Sequence, residues 1–261
     1  MSKTTSPCDL AGLSVLVTRP AHQSEGLCDA IQAARGRPVR YATVEILGPR
    51  DKRRARDELA AARKADLLIF VSSNAVQYAF PLLPEQLPLD VDIAAVGSAT
   101  ARALSEAGLD PTLTPERMDS EGLLALPQLQ DVAGKSVFIL RGEGGRELLH
   151  DTLCERGAEV HQVDVYRREM TQRPAGTSNL LQNWAQLVDV VTTTSNAILD
   201  NLFELLGTQG ADLIRTTPLI VVSQRMAEHA VELGCEIVYV APSATDADLL
   251  ATLCEANADL D

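Results

Sequence analysis

A short phrase occurs twice in this chain, and much of the chain repeats around it. Ser73-Asn74-Ala75 recurs as Ser195-Asn196-Ala197, 122 positions further on, preceded by Val71-Ser72 in the first copy and Thr193-Thr194 in the second. Val15-Leu16-Val17-Thr18-Arg19 is echoed by Val137-Phe138-Ile139-Leu140-Arg141 at the same shift. Arg35-Gly36 matches Arg156-Gly157 at a shift of 121, and Gly97, Ala101, Gly108 match Ser223, Ala227, Gly234 at 126. Each pair joins the end of an apolar run to a turn or a helix start. The repeat therefore predicts two similar α/β lobes with their ligand-binding ends paired.

Between these landmarks, strand and helix patterns alternate. Unbroken apolar runs mark strands at Ser14–Thr18, Leu67–Val71, Ile93–Val96, Val137–Leu140, Val188–Thr192, Leu219–Val222 and Ile237–Val240. Amphipathic stretches mark helices at Gln23–Arg35 (stopped by Gly36), Asp51–Lys64, Ala75–Leu82, Ser98–Ala107 and Gly145–Arg156. Further helices follow at Asn196–Leu206, Gln224–Leu233 and near Asp246–Ala256. Val39–Leu47 and its counterpart Val160–Arg168 read as extended. Such alternation indicates parallel sheets with crossover helices, and these collect ligands at the carboxyl ends of their strands. All the repeated phrases lie there.

With 261 residues the chain is long enough for two domains, each with its own core. The longest apolar runs are strand-sized, and Met1–Asp9 lacks a signal peptide's apolar centre, so a cytoplasmic protein without a membrane span is expected. A net charge of −13 argues against sequence-independent nucleic-acid binding. That charge is uneven: ten of the 23 basic residues fall between Arg35 and Lys64, whereas Pro174 to Asp261 carries two basic against twelve acidic residues. The five cysteines form no CxxC pair and are expected to be reduced and mostly buried. The four histidines have no metal-ligand spacing, so no metal is expected.

The candidate site residues follow from the strand ends. Ser72, Ser73 and Asn74 open one helix and Thr194, Ser195 and Asn196 another; free N–H groups and the helix dipole there favour an anion, although ordinary N-capping by Ser72 or Ser73 gives the same pattern. Arg141-Gly142-Glu143-Gly144-Gly145-Arg146 joins flexible backbone to two guanidinium groups but lacks the Lys-Ser/Thr of a P-loop and is not GxGxxG. Thr18 and Arg19 end the first strand, where Arg19 serves a ligand or an interlobe salt bridge. In Gly97-Ser98-Ala99-Thr100, Ser98 caps or binds, and the Thr100 hydroxyl lies in the first helical turn. Tyr166 is a packed tyrosine or a hydrogen-bond donor. Nothing in the sequence supplies a strong nucleophile.

Taken together, these phrases resemble the uroporphyrinogen-III synthase family over nearly the whole chain. The resemblance rests on Val15-Leu16-Val17-Thr18-Arg19-Pro20, Phe70-Val71-Ser72-Ser73-Asn74-Ala75-Val76 and Ala95-Val96-Gly97-Ser98-Ala99-Thr100-Ala101. Leu140-Arg141-Gly142-Glu143-Gly144-Gly145-Arg146, Val165-Tyr166-Arg167-Arg168 and Thr194-Ser195-Asn196-Ala197 complete it. It implies two flavodoxin-like lobes joined by a two-stranded hinge, with a cleft between them. One lobe would be residues 1–38 plus 168–261 and the other 42–165, with hinge segments near 37–46 and 161–168. It implies a monomeric lyase that needs no cofactor and cyclises hydroxymethylbilane, an eight-carboxylate linear tetrapyrrole, with loss of water and inversion of ring D through a spiro intermediate. Transfer of that substrate from hydroxymethylbilane synthase is part of the same expectation. Tyr166 would be the catalytic hydrogen-bond donor to the leaving hydroxyl. Thr18, Arg19, Ser72, Ser73, Asn74, Ser98, Thr100, Arg141, Gly142, Gly144, Thr194, Ser195, Asn196, Ser223 and Arg225 would bind the substrate.

Two other readings compete. A two-lobed binding protein for a small anion would share the helix-start sites, and a nucleotide-sugar transferase would need a base-recognition residue that the sequence does not offer. One departure is specific to this chain: Ser223-Gln224-Arg225-Met226 stands where many relatives have a Gly-Pro-Thr-Thr-like turn. Arg225 is expected to replace the missing hydroxyls as a carboxylate contact. Arg225→Ala should then raise KM for the bilane; an unchanged KM removes this role.

Overall fold

The computed structural model describes residues 8–84 and 90–260. Most of Met1–Asp9, the segment in which no signal-peptide centre was found, lies outside them. In chain order the first elements are β1 (Ser14–Val17), α1 (Glu25–Ala33), β2 (Arg37–Arg40), β3 (Val44–Leu47), α2 (Lys52–Ala60), β4 (Leu67–Phe70) and α3 (Ser73–Ala79). Then come β5 (Asp92–Ala95), α4 (Ser98–Glu106), α5 (Ser120–Leu124), β6 (Ser136–Gly142), α6 (Leu148–Glu155) and β7 (Glu159–Met170). The rest are α7 (Thr177–Gln182), α8 (Trp184–Leu187), β8 (Val190–Thr192), α9 (Asn196–Thr216), β9 (Leu219–Val221), α10 (Gln224–Glu232), β10 (Val238–Val240) and α11 (Asp246–Leu260).

The chain divides into two compact units: one is the chain up to Glu45 with everything from Glu169 onward, the other is Ile46–Arg168. The first holds a sheet ordered β10-β9-β8-β1-β2, and the second a sheet ordered β3-β7-β6-β4-β5. Renumbered by position, the first order is that of flavodoxin-like doubly wound sheets, in which the chain reverses direction of growth beside the first strand. In the second unit the run β7-β6-β4-β5 has the same order with its two strand pairs exchanged in sequence. This explains the internal repeat: β1 answers to β6, the β8–α9 junction to β4–α3, and β9–α10 to β5–α4.

Parallel strands buried on both faces need apolar side chains in both directions. In β1, Val15 and Val17 pack with Leu27 and Ile31 of α1 and Leu249 and Leu253 of α11. Leu16 points the other way, to Leu199 and Leu202 of α9 and Met226 of α10. In the second unit Leu67, Ile69, Val137 and Ile139 meet Leu123, Leu149 and Leu153. Each such side chain contributes roughly 1.5–3 kcal/mol on burial, so the sheet faces dominate the stability of each unit.

Several local expectations are corrected. The extended stretch Val39–Leu47 is two strands in different sheets, because β2 ends at Arg40 against β1 while β3 joins β7. The helix expected from Gly145 starts at Leu148, after the glycines have completed a turn in which Gly144 has φ +71°. Of the two serines offered as caps for α3, Ser72 caps, its Oγ accepting from Ala75 N at 3.1 Å. Ser98 does not cap α4: the N-cap is Gly97, and Ser98 is already the first helical residue. The cysteines are not all reduced thiols, since Cys8 and Cys254 form a disulfide. Leu10 and Leu253 share one core cluster, which brings the start of the described chain against α11. Cys28 and Cys235 are buried free thiols whose pKa burial pushes up, and Cys154 is exposed. Among the described residues no helix is long and apolar enough to cross a membrane.

Gly207 breaks α9 with φ 67° and ψ −166°, a conformation open to glycine but costly for residues bearing a Cβ. Gly207→Ala should lower unfolding stability by about 1–3 kcal/mol in urea titration; an unchanged midpoint would mean that the break relaxes at no cost.

Candidate active site

In doubly wound sheets the ligand crevice opens where strand order reverses, beyond the carboxyl ends of the two strands concerned. In the second unit those strands are β6 and β4. A cavity of about 450 Å³ lies there, walled by Val71 and Ser72 after β4, by the Arg141–Arg146 turn after β6, and by Tyr166 and Arg168 of β7. Sequence repeat, sheet topology and cavity thus converge on one place.

Tyr166 reaches it through a fault in the sheet. β7 runs parallel to β6 with Asp164 opposite Arg141, but Tyr166 is opposite Gly142, so one extra residue of β7 is accommodated between them. Such bulges re-aim side chains. Here Val165 and Tyr166 are both buried, breaking the alternation seen at Val163, Asp164 and Val165. The phenol ring packs over Gly142: a Cβ there would lie 2.6 Å from Tyr166 Cζ, so only glycine admits the ring. Tyr78 stacks nearby, with ring centroids 6.3 Å apart. Tyr166 Oη receives the Ser72 hydroxyl at 3.2 Å and Arg168 Nη2 at 3.3 Å. Ser72 therefore serves both helix and site, accepting from Ala75 N while donating to the phenol.

The two arginines that end β1 and β6 are engaged by their own units. Arg141 is buried, with Nη1 3.0 Å from Glu147 Oε1, Nη2 3.2 Å from the Gly145 carbonyl and Nε 3.3 Å from Asp164 Oδ1. It holds the glycine turn in shape from beneath. Hydrogen bonds from Gln162, at 2.7 Å, and from Arg141 keep the Glu147 carboxyl below its usual pKa range. Arg19 is likewise buried, paired with Asp246 at 2.6 Å and with the Ala244 carbonyl. Its ion pair lies within the first unit, where the sequence offered a pair between lobes.

The remaining expected residues fall as follows. Of those in the second unit, Ser72, Arg141, Gly142, Gly144 and Tyr166 wall the cavity, whereas Ser73, Asn74, Ser98 and Thr100 do not. Asn74 and Thr100 are buried, and Ser98 is exposed on the first turn of α4. In the first unit, Thr18 is buried and donates to the Thr192 carbonyl at 2.6 Å. Ser195 and Ser223 cap α9 and α10, accepting from Ile198 N at 3.2 Å and Met226 N at 3.3 Å. Thr194 is half-buried before that cap, and Arg225 is exposed on the first turn of α10. Asn196 Oδ1 and the neighbouring Thr193 Oγ1 are enclosed without a hydrogen-bond partner among the described residues.

Polar residues of the cavity wall that were given no ligand role from the sequence include Arg168, Asp119, Ser120 and Gln162. Arg168 was detectable, since residues two apart on a strand share a face and it stands two after Tyr166. Asp119 and Ser120 were not, because the short α5 sits in a stretch without clear periodicity. Chemically, the cavity offers a buried phenol with two hydrogen-bond donors on its oxygen, two guanidinium groups and a glycine turn open to close approach. That suits a polyanionic ligand and mild proton donation.

A family model described as "Uroporphyrinogen-III synthase HemD" matches residues 25–251. The uroporphyrinogen-III synthase of Escherichia coli K12 is 36% identical over 246 residues, covering 92% of this chain and all of that protein. That of Salmonella typhimurium is 34% identical over 247 residues, with coverage of 92% and 100%. Among solved structures, a mutant uroporphyrinogen III synthase from the extreme thermophile Thermus thermophilus aligns with a TM-score of 0.60 at 20% identity, over 95% of this chain and 100% of its own. The Helicobacter pylori uroporphyrinogen-III synthetase aligns with a TM-score of 0.60 at 16% identity, again over 95% and 100%. At these identities the structures speak to the fold alone.

The contact between Tyr166 and Gly142 is directly testable. Gly142→Ala should cost about 1–3 kcal/mol through overpacking, and a crystal structure of the variant should show the phenol displaced from Ser72. An unmoved ring at unchanged stability would overturn the wedge.

Proposed function

The chain belongs to the uroporphyrinogen-III synthase family, and on that footing we propose that Tyr166 and the cavity around it carry the cyclisation of hydroxymethylbilane to uroporphyrinogen III. The observation behind this assignment is the phenol itself: buried, wedged on Gly142 and hydrogen-bonded at Oη by Ser72 and Arg168, at the reversal point of the sheet.

The chemistry asks little of an acid. The terminal hydroxyl of the bilane leaves as its pyrrole nitrogen lone pair pushes into the ring, and the Tyr166 O–H supplies a hydrogen bond or proton to the departing oxygen. The C–O bond breaks and water leaves. The bridge-bearing carbon of ring D attacks the methylene so exposed and gives the spiro intermediate. Its original bridge bond then breaks, ring D's unsubstituted carbon takes up the freed methylene, and loss of one proton from that carbon restores the pyrrole and balances the proton donated. Choosing the inverted isomer is a matter of positioning, because an unguided bilane also closes without inversion. Arg146 suits substrate carboxylates, and so do the amides at the helix starts after Ser72, Gly97, Ser195 and Ser223. Arg141 and Arg19 act beneath these turns and hold their shape.

On the same reading the protein is a cytoplasmic monomer that takes its substrate from hydroxymethylbilane synthase. The Cys8–Cys254 bridge is unusual for that compartment, where thiols are kept reduced.

Incubation with enzymatically generated hydroxymethylbilane, oxidation of the products and chromatographic separation of porphyrin isomers tests the activity. Isomer III should dominate; isomer I alone, as in the uncatalysed control, refutes it. Tyr166→Phe should lower turnover by about 10²-fold or more, the usual worth of a positioned proton donor, and full turnover would remove Tyr166 from that role.

A further inference from the structure

The geometry points to Arg168 as a positioning residue for the Tyr166 phenol. With Ser72, it fills the acceptor side of Oη and leaves the phenolic proton for the leaving hydroxyl. This rests on the proposed donor role of Tyr166.

The donor inventory carries the argument. A phenol oxygen has two lone pairs and one proton, a guanidinium donates only, and a serine hydroxyl has one proton to give. Ser72 Oγ accepts from Ala75 N at 3.1 Å with one lone pair, and its proton goes to Tyr166 Oη at 3.2 Å. Arg168 Nη2 donates to the same oxygen at 3.3 Å. Both lone pairs are then occupied, and neither neighbour takes the proton of the phenol. Tyr166 is only 3% exposed, so few other directions remain for that proton. The Arg168 guanidinium carbon also lies 5.7 Å from the ring centroid, a cation–π contact that holds the guanidinium against the phenol as well as its oxygen. Arg168 itself is exposed on β7, so its side chain is replaceable without opening a core.

An arginine on the wall of a polycarboxylate site would ordinarily be assigned to substrate binding. The two roles separate in kinetics. A carboxylate anchor sets KM, whereas a residue acting through Tyr166 sets kcat and has nothing to act on once the phenol oxygen is gone. A double-mutant cycle over Arg168→Gln, Tyr166→Phe and the double variant, with kcat, KM and isomer ratio measured on hydroxymethylbilane, decides between them.

Arg168→Gln should lower kcat about tenfold, at the mild end of proton-donor effects, with KM within about twofold of the parent. The double variant should be no slower than Tyr166→Phe alone. Arg168→Lys, which keeps a donor and a charge, should recover part of the loss and carries the test if the glutamine variant misfolds by thermal melting. A raised KM with intact kcat overturns the proposal and makes Arg168 a carboxylate contact. So do independent, multiplicative losses in the cycle, which remove Arg168 while leaving Tyr166 as donor. Full turnover of Tyr166→Phe removes the donor and the positioning role together.

Discussion

Burial of parallel strands on both faces is the constraint from which the other features follow. A strand such as Val15-Leu16-Val17 satisfies it only if helices cover both sides of the sheet, and α1 and α11 on one face and α9 and α10 on the other do so. Crossovers return the chain to the same edge, so parallel neighbours end at the same rim, and the helices that follow β4, β5, β8 and β9 begin there. Turn chemistry, helix-start amides and the ends of the arginine-bearing strands are thereby gathered without further instruction. The second unit meets the same constraint with its strand pairs in exchanged order. One physical solution reached by two chain routes is what the internal repeat records.

Where strand ends gather, the local chemistry depends on which groups are already engaged. Arg19 and Arg141, the two arginines most visible in the sequence, are buried and paired with carboxylates and carbonyls of their own units. A buried guanidinium without such partners would be very costly, so an arginine placed at a strand tip is committed to internal pairing. Of the three arginines that line the cavity, Arg141 is engaged in this way, and Arg146 and Arg168 are the more exposed. The same division applies to the serines: Ser72, Ser195 and Ser223 each give one lone pair to the helix and keep the proton and the second lone pair for a neighbour.

The bulge in β7 is the feature that turns the Tyr166 phenol into the cavity wall. In a regular ladder the residue opposite Gly142 would be Val165, and the cavity would present an aliphatic wall. One added residue brings Tyr166 opposite the glycine, and the missing Cβ admits the ring. The phenol is then held by Ser72 after β4, Gly142 of β6 and Arg168 two residues on in β7. The pairings with Ser72 and Gly142 do not follow from composition or periodicity, because hydrogen-bond register is a property of two strands at once.

The order of residues alone was enough for the alternation of strand and helix, the repeat, and the family to which the chain belongs. These rest on local patterns: apolar runs, capping serines and glycine stops. It also pointed to residues that wall the cavity, including Ser72, Gly142 and Tyr166. Folding in three dimensions was needed to divide Val39–Leu47 between two sheets, to bring Cys8 to Cys254, to engage Arg19 and Arg141 internally, and to set Arg168 rather than Arg141 against the phenol. Each of those outcomes depends on contacts between distant segments, where a side chain's partners are set by register and burial and not by its neighbours in the chain.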